Sequence, residues 1–381
     1  MLRTIFESDH LSFQESVDTF IQRHILPRHD KIIEQRFIDR DIWLRAGESG
    51  FLGLEVPEEF GGSEALDYRF NTVLTEQLSK VSVAMASAFS IHYDIVAPYL
   101  VHLTTTEQKR RWLPRFCSGE LVAALAMTEP GAGSDLASLQ TTARADGADW
   151  LLNGSKTFIT NGFNADLVVV AAKTSPTEGA KGITLFAIES GMPGFERGRK
   201  LDKVGQPESD TAELFFHDVR VPSENVIGEV GRGFVHMMSM LPQERLNAAV
   251  SNLAHARAIF DETLEYARQR RAFGTAIGSF QYNKFTLAEV VTKLDVTQSF
   301  IDASVLAHTR AELTAIDAAK AKWWSADVQN GALDICLQMH GGYGYMNEYR
   351  VARAWKDARV TKIWAGSNEI MKEIIGRDLD L

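Results

Sequence analysis

The spacing of apolar residues predicts helices over the first third of the chain. Apolar side chains recur at three- and four-residue steps before Pro27, which we expect to end the first helix; they are Leu11, Phe13, Val17, Phe20, Ile21 and Ile25. Further helices are predicted at residues 41–48, 67–80, 83–103 and 106–117. Because residues 83–103 are apolar on nearly every side, that helix should be buried as the wall of a core or a pocket.

Between about residues 121 and 230 the pattern changes to short β-rich runs separated by Gly, Asn-Gly and Pro-Gly turns. The predicted strands are residues 121–127, 139–144, 157–160, 167–173, 183–189 and 213–217. No Gly-x-Gly-x-x-Gly string opens a helix after a strand in this part of the sequence, which disfavours a nicotinamide-binding Rossmann domain.

From residue 231 the helical pattern returns, with three segments longer than the average globular helix at 234–270, 281–309 and 316–340. Shorter helices are predicted around 349–359 and from Ser367 onward. The fold class is therefore mainly α with a β insert. We predict an N-terminal α-helical domain (1–120), a central β-barrel-like domain (121–230) and a C-terminal four-helix bundle (231–381).

Composition supports this reading and excludes several classes of function. A chain of 381 residues exceeds one ordinary hydrophobic core, and 45% hydrophobic with 24% charged residues is typical of a globular protein. The net charge of −10, with no Lys/Arg block, argues against a nucleic-acid partner. Only Cys117 and Cys336 are present, far apart in sequence, so we expect neither a disulfide framework nor a metal site.

The first residues lack both the apolar core of a signal peptide and the Arg-rich, acid-poor character of a transit peptide. No segment reaches the roughly 18 apolar residues that a membrane span requires. We therefore expect a cytoplasmic protein, of bacterial origin, with a processed organelle protein as the alternative.

Residues 126–135 read Ala-Met-Thr-Glu-Pro-Gly-Ala-Gly-Ser-Asp and follow a predicted buried strand. The glycines allow main-chain N–H groups to approach a flat polar ligand, because glycine has no Cβ to hold that ligand away. The strings typical of serine hydrolases, zinc proteases and P-loop NTPases are absent from the sequence. His340, beside two glycines, is most simply a residue at the end of a helix.

Five further motifs follow the same order along the chain as in one known family. They are residues 57–62 (Pro-Glu-Glu-Phe-Gly-Gly), 153–162 (Asn-Gly-Ser-Lys-Thr-Phe-Ile-Thr-Asn-Gly), 270–274 (Arg-Arg-Ala-Phe-Gly), 338–345 (Gln-Met-His-Gly-Gly-Tyr-Gly-Tyr) and 357–370, from Asp-Ala-Arg to Gly-Ser-Asn-Glu-Ile. Together with residues 126–135 they resemble the acyl-CoA dehydrogenase family of flavoenzymes over essentially the whole chain. The resemblance implies that family's fold, a bound FAD and a homo-oligomer, either a dimer or a tetramer.

The resemblance also implies the positions that contact the flavin ring. Met127 and Thr128 would lie at the isoalloxazine ring, and Ser134 would lie nearer the pyrophosphate and the substrate. Phe158, Ile159 and Thr160 would cover the other side of the ring, where an apolar flat contact and polar donors set its electron affinity. The alternative for Phe158 is a side chain that fills a β core.

The remaining FAD contacts implied by the resemblance lie in the C-terminal third. Those expected at the diphosphate and adenine are Arg270, Phe273 and Gln281, with Gln338, Gly341 and Gly342 supplied by a neighbouring subunit. An arginine fork suits a diphosphate, while Ala272 replaces a hydroxyl residue that often follows this arginine. Ser367 and Glu369 are the last matches, and Ser367 is explained equally well as a helix N-cap.

The resemblance raises a question about the catalytic base. Many members carry a glutamate directly before the glycine of the last motif, and Ala365 occupies that position here. Isovaleryl-CoA and long-chain acyl-CoA dehydrogenases instead carry it on the long helix before an arginine, which corresponds to Glu244. Apolar neighbours could bury Glu244 and raise its pKa toward neutrality. For an arbitrary Glu-Arg pair, the simpler interpretation is a solvated helix face.

Three further residues are expected at the substrate. Arg245 should not pair with Glu244, because adjacent helical side chains point about 100° apart, and so it would face the substrate or support the pocket. Ala365 and Gly366 would bind the thioester through the main chain, since alanine keeps the N–H that the resemblance places at the thioester carbonyl.

The predicted function is therefore FAD-dependent α,β-dehydrogenation of a saturated acyl thioester, with medium- to long-chain acyl-CoA as substrate and an electron-transfer flavoprotein as acceptor. An acyl-ACP substrate, a flavin monooxygenase or nitroalkane-oxidase-like enzyme on the same fold, and a non-catalytic helical partner protein are the alternatives. Small residues in the predicted buried helix indicate either a roomy pocket wall or close helix packing; they are Ala84, Ala86, Ser87 and Ala88.

Overall fold

The computed structural model describes residues 3–379 of the chain. Its N-terminal part is helical, as the apolar spacing predicts. The α-helices are α1 (Ser8–Phe20), α2 (His29–Gln35), α3 (Arg40–Glu48), α4 (Arg69–Val81), α5 (Val83–Ser90), α6 (Ala97–His102) and α7 (Thr106–Ser118). Two π-helical turns, Ile21–Ile25 and Ile91–Val96, join consecutive helices without a loop.

Prolines lie at two breaks in these helices. The first helix, α1 with its π turn, ends at Ile25, within two residues of the predicted end at Pro27, and the 3₁₀ turn Leu26–Arg28 leads into α2. Proline is tolerated at the first positions of a helical turn, where its missing N–H has no partner to lose. The predicted helix 83–103 is divided into α5, a π turn and α6, with Pro98 at the start of α6. Its predicted burial is confirmed for nearly every residue.

The middle part is one mixed β-sheet. Its strands are β1 (Ala123–Ala126), β2 (Thr142–Asp146), β3 (Asp149–Thr160), β4 (Leu167–Lys173), β5 (Ile183–Glu189), β6 (Phe195–Lys200), β7 (Thr211–Pro222) and β8 (Val226–Ile227). The strand order is β6-β7-β3-β2-β4-β5-β8, and β1 pairs in parallel with β4 in the register Ala123 to Leu167. Within residues 3–379 the two end strands do not pair, so the sheet is open rather than a closed barrel.

The strand predictions in this part are confirmed for β1, β4 and β5, and two others need correction. The predicted strand 139–144 begins only at Thr142, after a short 3₁₀ turn at Leu136–Ser138. The predicted strand 157–160 is the end of the twelve-residue β3, whose polar first half hides it from a hydrophobicity pattern. The pattern also missed β6, which is largely exposed and rich in charge.

The C-terminal part is built around three long helices. Its helices are α8 (Gly233–Gln269), α9 (Gln281–Thr309), α10 (Ala315–His340), α11 (Arg350–Ala358) and α12 (Asn368–Asp378), and two short strands, β9 (Arg271–Ala272) and β10 (Thr275–Ala276), form a hairpin between α8 and α9. Helix α8 packs against α9 and α10 on one side and against α4 and α5 on the other. It therefore joins the helical bundle to the N-terminal helices.

The strands β4 and β5 are buried on both faces of the sheet. Leu167, Val169 and Ala171 of β4 pack with the N-terminal helices on one face. Val168 and Val170 pack with β3 and β7 on the other face. Both cysteines are buried and free. No helix within residues 3–379 combines the length and the apolar character needed to cross a membrane.

Candidate active site

A cavity of about 450 Å³ opens where the middle sheet meets helix α8 and the turn before α12. The sequence-predicted residues that line it are Met127, Thr128, Ser134, Phe158, Ile159, Thr160, Glu244, Arg245, Ala365 and Gly366. These residues come from four separate parts of the chain. The fold thus brings together the predicted flavin-ring contacts, the predicted base and the predicted thioester contacts.

A buried ion pair fixes the loop that follows β1. The carboxylate of Glu129 accepts hydrogen bonds from Lys156 Nζ at 2.8 Å and from the Thr141 N–H at 2.9 Å. Lys156 is fully buried and also donates to the carbonyl of Met127 at 3.0 Å. A buried charge is tolerated only when it is paired and hydrogen-bonded, so this pair holds the loop against β3. The sequence analysis missed it, although both residues lie inside the quoted motifs.

Phe158 lies at an irregularity of β3 with its ring on the cavity. The pairing of β3 with β7 shifts between Lys156 and Ile159, and Phe158 has a left-handed φ of 59°. A left-handed aromatic residue is a backbone outlier of the kind that clusters at functional sites. The side chain is 68% exposed, so the alternative that it fills a β core is wrong. Ile159, in contrast, packs inside the sheet, which leaves its main chain to face the cavity.

Glu244 is buried, which the sequence could not establish. Only 8% of the residue is exposed, and Oε1 accepts a hydrogen bond from the hydroxyl of Tyr99 at 3.3 Å. Burial raises the pKa of Glu244 to about 7, and the Tyr99 hydrogen bond opposes part of that rise. The carboxyl can therefore accept a proton near neutral pH. Tyr99 was not among the predicted site residues, because only the tertiary fold brings α6 to α8.

Arg245 makes no ion pair with Glu244, as the helical geometry predicts. It is 6% exposed, it lines the cavity, and its Nε has no hydrogen-bond partner among the described residues. Burial lowers the pKa of the Arg245 guanidinium, and the nearby Glu244 opposes that shift. A buried guanidinium with a free donor is suited to an acceptor group on a bound ligand.

The turn between α11 and α12 forms the wall opposite the sheet. Ala365 and Gly366 have consecutive left-handed φ values of 52° and 85°. The buried ammonium of Lys322, on α10, donates to the carbonyl of Gly366 at 2.6 Å and to Asn368 Oδ1 at 3.3 Å. Ser367 caps α12 by accepting from the Ile370 N–H at 3.4 Å, which confirms its interpretation as an N-cap. Glu369 is exposed in the first turn of that helix.

A second buried carboxyl lies behind Glu244. Asp94, in the π turn Ile91–Val96, accepts from Asn71 Nδ2 at 2.7 Å and from the Tyr68 hydroxyl at 3.5 Å. Burial raises the pKa of Asp94 to about 8. The amide of Gln243 donates to the Asp94 carbonyl at 2.8 Å, which ties the Glu244 turn of α8 to the π turn.

Some small residues of α5 line the pocket, and others allow close helix packing. Ser87 lines the cavity, whereas Ala84, Ala86 and Ala88 do not and are buried among helices. The alanines therefore serve close helix packing, and one face of α5 serves the pocket wall. Ser90, together with Asn247 and Ser251 on α8, adds further polar groups to this cavity.

Four of the other predicted FAD contacts lie in a separate groove of about 460 Å³ at the end of the bundle. Arg270, Gln338, Gly341 and Gly342 all line it, and no residue lines both this groove and the first cavity. Phe273 and Gln281 are exposed and line neither the groove nor the cavity, and Phe273 is 97% exposed with a left-handed φ of 52°. One chain therefore presents the two sets of predicted contacts in two places.

Sequence models of one family match almost the whole chain. The N-terminal, middle and C-terminal domains of acyl-CoA dehydrogenases match residues 7–120, 124–219 and 231–379. The chain belongs to the acyl-CoA dehydrogenase family. It is therefore an oxidoreductase of the class that dehydrogenates acyl-CoA.

Relatives within the family include both kinds of enzyme that the position of Glu244 indicated. The mitochondrial long-chain specific acyl-CoA dehydrogenase of Sus scrofa is 43% identical, over 99% of this chain and 88% of its own length. The mitochondrial isovaleryl-CoA dehydrogenase of Solanum tuberosum is 38% identical, over 98% of this chain and 91% of its own.

Solved structures give the same family and the same fold. An acyl-CoA dehydrogenase from Geobacillus kaustophilus is similar with a TM-score of 0.97 and 43% identity, over 99% of both chains. An acyl-CoA dehydrogenase complexed with FAD, from Bacillus anthracis, has a TM-score of 0.91 and 30% identity, over 100% of this chain and 69% of its own. The predicted order of helical, β and helical parts is confirmed at this level.

The residues of this chain at the two sites fit a flavin. The ring of Phe158 is exposed on the cavity and offers a flat apolar contact. Met127 and Thr128 lie on a loop that a buried ion pair holds in place, and Arg270 offers a guanidinium in the groove. An apolar flat contact and polar main-chain groups suit an isoalloxazine ring, and a guanidinium suits the diphosphate of FAD.

Proposed function

We propose that this protein is an FAD-dependent dehydrogenase that converts a saturated acyl-CoA of medium to long chain into the trans-2-enoyl-CoA. The observation that supports this most strongly is Glu244. A buried carboxyl with a pKa of about 7 lines the same cavity as the loop 126–135 and the turn at Ala365. A general base is most effective when its pKa lies near the working pH.

The FAD would lie between the two sets of contacts. Met127, Thr128, Phe158, Ile159 and Thr160 would hold the isoalloxazine ring, with Ser134 toward the pyrophosphate. A bound flavin supplies the two-electron acceptor for the hydrogen that leaves the β-carbon. The remaining residues would reach the FAD of a second copy of the chain, and they are Arg270, Phe273, Gln281, Gln338, Gly341 and Gly342.

The location of Arg270 changes which subunit is expected to supply it to the shared FAD site. Arg270 and Gln338 line the same groove of one chain, so we propose that a single partner supplies both. Ser367 and Glu369 begin α12, beside the turn that lines the cavity, and would complete the FAD contacts on the side of the cavity.

Glu244 would remove the α-proton of the acyl thioester. The carboxylate form accepts the proton, the α C–H bond breaks, and its electron pair becomes the new double bond as the β-hydrogen leaves with its own pair. Tyr99 keeps the carboxylate in one orientation through its hydrogen bond at 3.3 Å. The hydrogen bond and the surrounding helices therefore hold the base in position before substrate binds.

The thioester carbonyl would lie at the Ala365 turn. Removal of an α-proton places negative charge on the carbonyl oxygen, and a main-chain N–H aimed at that oxygen stabilises the charge. Neither the main-chain nor the side-chain hydrogen bonds of the described residues include the Ala365 N–H, which is therefore free for that contact. Gly366 continues the same wall, and the guanidinium of Arg245 would face the substrate from α8.

Further parts of the proposal rest on family resemblance. The electron acceptor would be an electron-transfer flavoprotein, and the assembly a homodimer or homotetramer. A cytoplasmic, bacterial location stays a prediction. The division into residues 1–120, 121–230 and 231–381 is our proposed domain organisation.

A flavin monooxygenase or a nitroalkane-oxidase-like enzyme is the second candidate on this fold. Such enzymes typically lack a glutamate at both base positions. A buried Glu244 with a raised pKa therefore favours the dehydrogenase.

An anaerobic titration tests the proposed function. The purified protein, with its FAD content measured, receives saturated acyl-CoA of several chain lengths and the matching acyl-ACP while its flavin spectrum is recorded. We expect bleaching by medium- or long-chain acyl-CoA. Bleaching by acyl-ACP alone would replace the proposed carrier, and a protein that binds FAD but is bleached by neither would refute the dehydrogenase.

A further inference from the structure

Lys322 is fully buried in the first third of helix α10, and its ammonium reaches the active-site turn. Nζ donates to the carbonyl of Gly366 at 2.6 Å and to Asn368 Oδ1 at 3.3 Å. Both acceptors are neutral, and no ion pair of Lys322 occurs within residues 3–379. The side chain therefore joins the bundle to the wall of the cavity without a compensating carboxylate at contact distance.

Burial of a lysine in this position has an unfavourable free energy. Desolvation of an ammonium costs several kcal/mol, and an apolar residue of the same length would avoid that cost. Burial and the nearby Arg245 guanidinium lower the pKa of Lys322 to about 7, and the charge of Glu369 opposes part of that shift. Burial alone thus does not favour a lysine here, and its contacts must explain it.

The turn that Lys322 contacts has an unfavourable backbone. Ala365 has a left-handed φ of 52°, which costs a residue with a Cβ on the order of 1 kcal/mol. Gly366 follows with φ of 85°, and a Cβ there would lie 2.5 Å from Met371 Cε. Such a conformation persists only where surrounding contacts hold it. The hydrogen bond to the Gly366 carbonyl is one of those contacts, because it fixes the peptide immediately after Ala365.

We propose that Lys322 is a positioning residue for catalysis, whose hydrogen bonds to Gly366 and Asn368 hold the Ala365–Gly366 turn so that the Ala365 N–H faces the thioester carbonyl. This inference rests on the proposed function. Lys322 itself does not line the cavity, so it acts through the turn. A displaced turn would leave substrate binding largely intact and weaken the stabilisation of charge on the carbonyl oxygen.

The test compares Lys322→Met with the parent holoenzyme. Methionine keeps most of the volume and removes the donors. Lys320→Met is the matched control, because Lys320 lies on the same helix, is exposed and pairs with Asp317 at the surface. Asn368→Ala is the second variant, since it removes one acceptor of the ammonium and keeps Lys322.

Three measurements distinguish positioning from a purely structural role. The first is kcat and KM for the acyl-CoA that bleaches the parent. The second is the pH at which a bound 3-ketoacyl-CoA loses its α-proton, which is followed through the long-wavelength absorbance that this ligand gives with the flavin. The third is amide hydrogen exchange across residues 363–370 in the flavin-free protein. For Lys322→Met we expect kcat to fall about 10- to 100-fold, with a much smaller change in KM. The ionisation midpoint of the ligand should rise by about 1–2 pH units, and the turn should exchange faster.

Each outcome decides the question. A folded Lys322→Met protein with the parent kcat and the parent midpoint would overturn the inference. If that variant does not fold, Asn368→Ala is tested in its place. We expect the ionisation midpoint of the ligand to shift in the same direction by a smaller amount, and an unchanged midpoint would contradict the inference. If the parent binds FAD but is not bleached by any acyl thioester, the proposed function fails and this inference fails with it.

Discussion

The hydroxyl of Tyr99 on α6 donates a hydrogen bond to Glu244 Oε1 on α8 at 3.3 Å, across 145 positions of sequence. Tyr99 is fully buried and Glu244 nearly so. Burial disfavours the carboxylate form and the hydrogen bond favours it, so the two effects act in opposite directions on one pKa. The positive charge of Arg245 also lowers this pKa, and the resulting value of about 7 sets the pH at which the proposed base becomes active.

Removal of that hydrogen bond should move the pH dependence of the reaction. In the parent we expect kcat/KM to rise with pH around a midpoint near 7, because the base must be deprotonated. In Tyr99→Phe the carboxylate loses a donor, so the pKa of Glu244 should rise by about 1 unit. A pH–rate profile of the flavin reduction step measures the shift.

Tyr93→Phe is the control for Tyr99. Tyr93 is also buried, but its hydroxyl pairs with Thr75 Oγ1 at 2.6 Å rather than with Glu244. The midpoint of this variant should match the parent. Equal shifts in both variants would mean that loss of any nearby hydroxyl, rather than the bond to Glu244, changes the profile.

Loss of the carboxylate should abolish most of the reaction. Glu244→Gln keeps size and shape, so the protein should fold and retain FAD, while the rate of bleaching falls by about 10²- to 10⁴-fold. Stopped-flow absorbance gives the rate. Glu265→Gln, on the exposed face of the same helix, should bleach at the parent rate. If Glu244→Gln also bleaches at that rate, another group is the base.

The same substitution should stabilise the protein at neutral and alkaline pH. The pKa of Glu244 is raised from 4.5 to about 7, so between these values the folded state binds more protons than the unfolded state. The contribution of this carboxyl to stability is then fully present below pH 4.5 and is lost as pH rises through 7.

Urea unfolding of the parent and of Glu244→Gln at pH 5 and pH 8 measures this linkage. The free energy of unfolding of the variant, relative to that of the parent, should be larger at pH 8 than at pH 5 by at most ~3 kcal/mol. An identical difference at both pH values would show that Glu244 ionises normally in the folded protein.

Arg270 should be needed for flavin retention although it lines a groove apart from the cavity. Arg270→Ala removes a charged donor to a diphosphate, so FAD affinity should fall about 10- to 100-fold without loss of fold. Arg268→Ala, exposed in the last turn of α8, is the control. Absorbance at 450 nm relative to protein, after gel filtration, gives the retained fraction.

Mixed oligomers would show whether two copies build one FAD site. Arg270→Ala retains an intact cavity, and Phe158→Ala retains an intact groove. When the two variants are co-expressed and the mixed oligomers isolated, about half of the sites should combine the intact halves and regain FAD. Retention equal to the mean of the two separate variants would place the whole site within one chain.

Much of the fold could be predicted from local patterns. The helices α4, α8, α9 and α10 follow from apolar spacing, and β4 and β5 from continuous apolar runs. The patterns failed where burial depends on distant partners. The strand β6 is exposed and charged, and the helix over 83–103 contains a π turn. Closure of the sheet was also beyond prediction, because it depends on whether the two end strands pair.

The sequence by itself determined the family, the order of the three parts and the candidates for ring contact, thioester contact and base, because motifs and periodicity are properties of neighbouring residues. Only the tertiary structure decided that Glu244 is buried, that Tyr99 reaches it, and that Lys322 donates a hydrogen bond to the carbonyl of Gly366. A pKa depends on desolvation and on groups within a few ångströms. Those groups come from α6, α8, α10 and the turn before α12, and no local pattern records which of them meet.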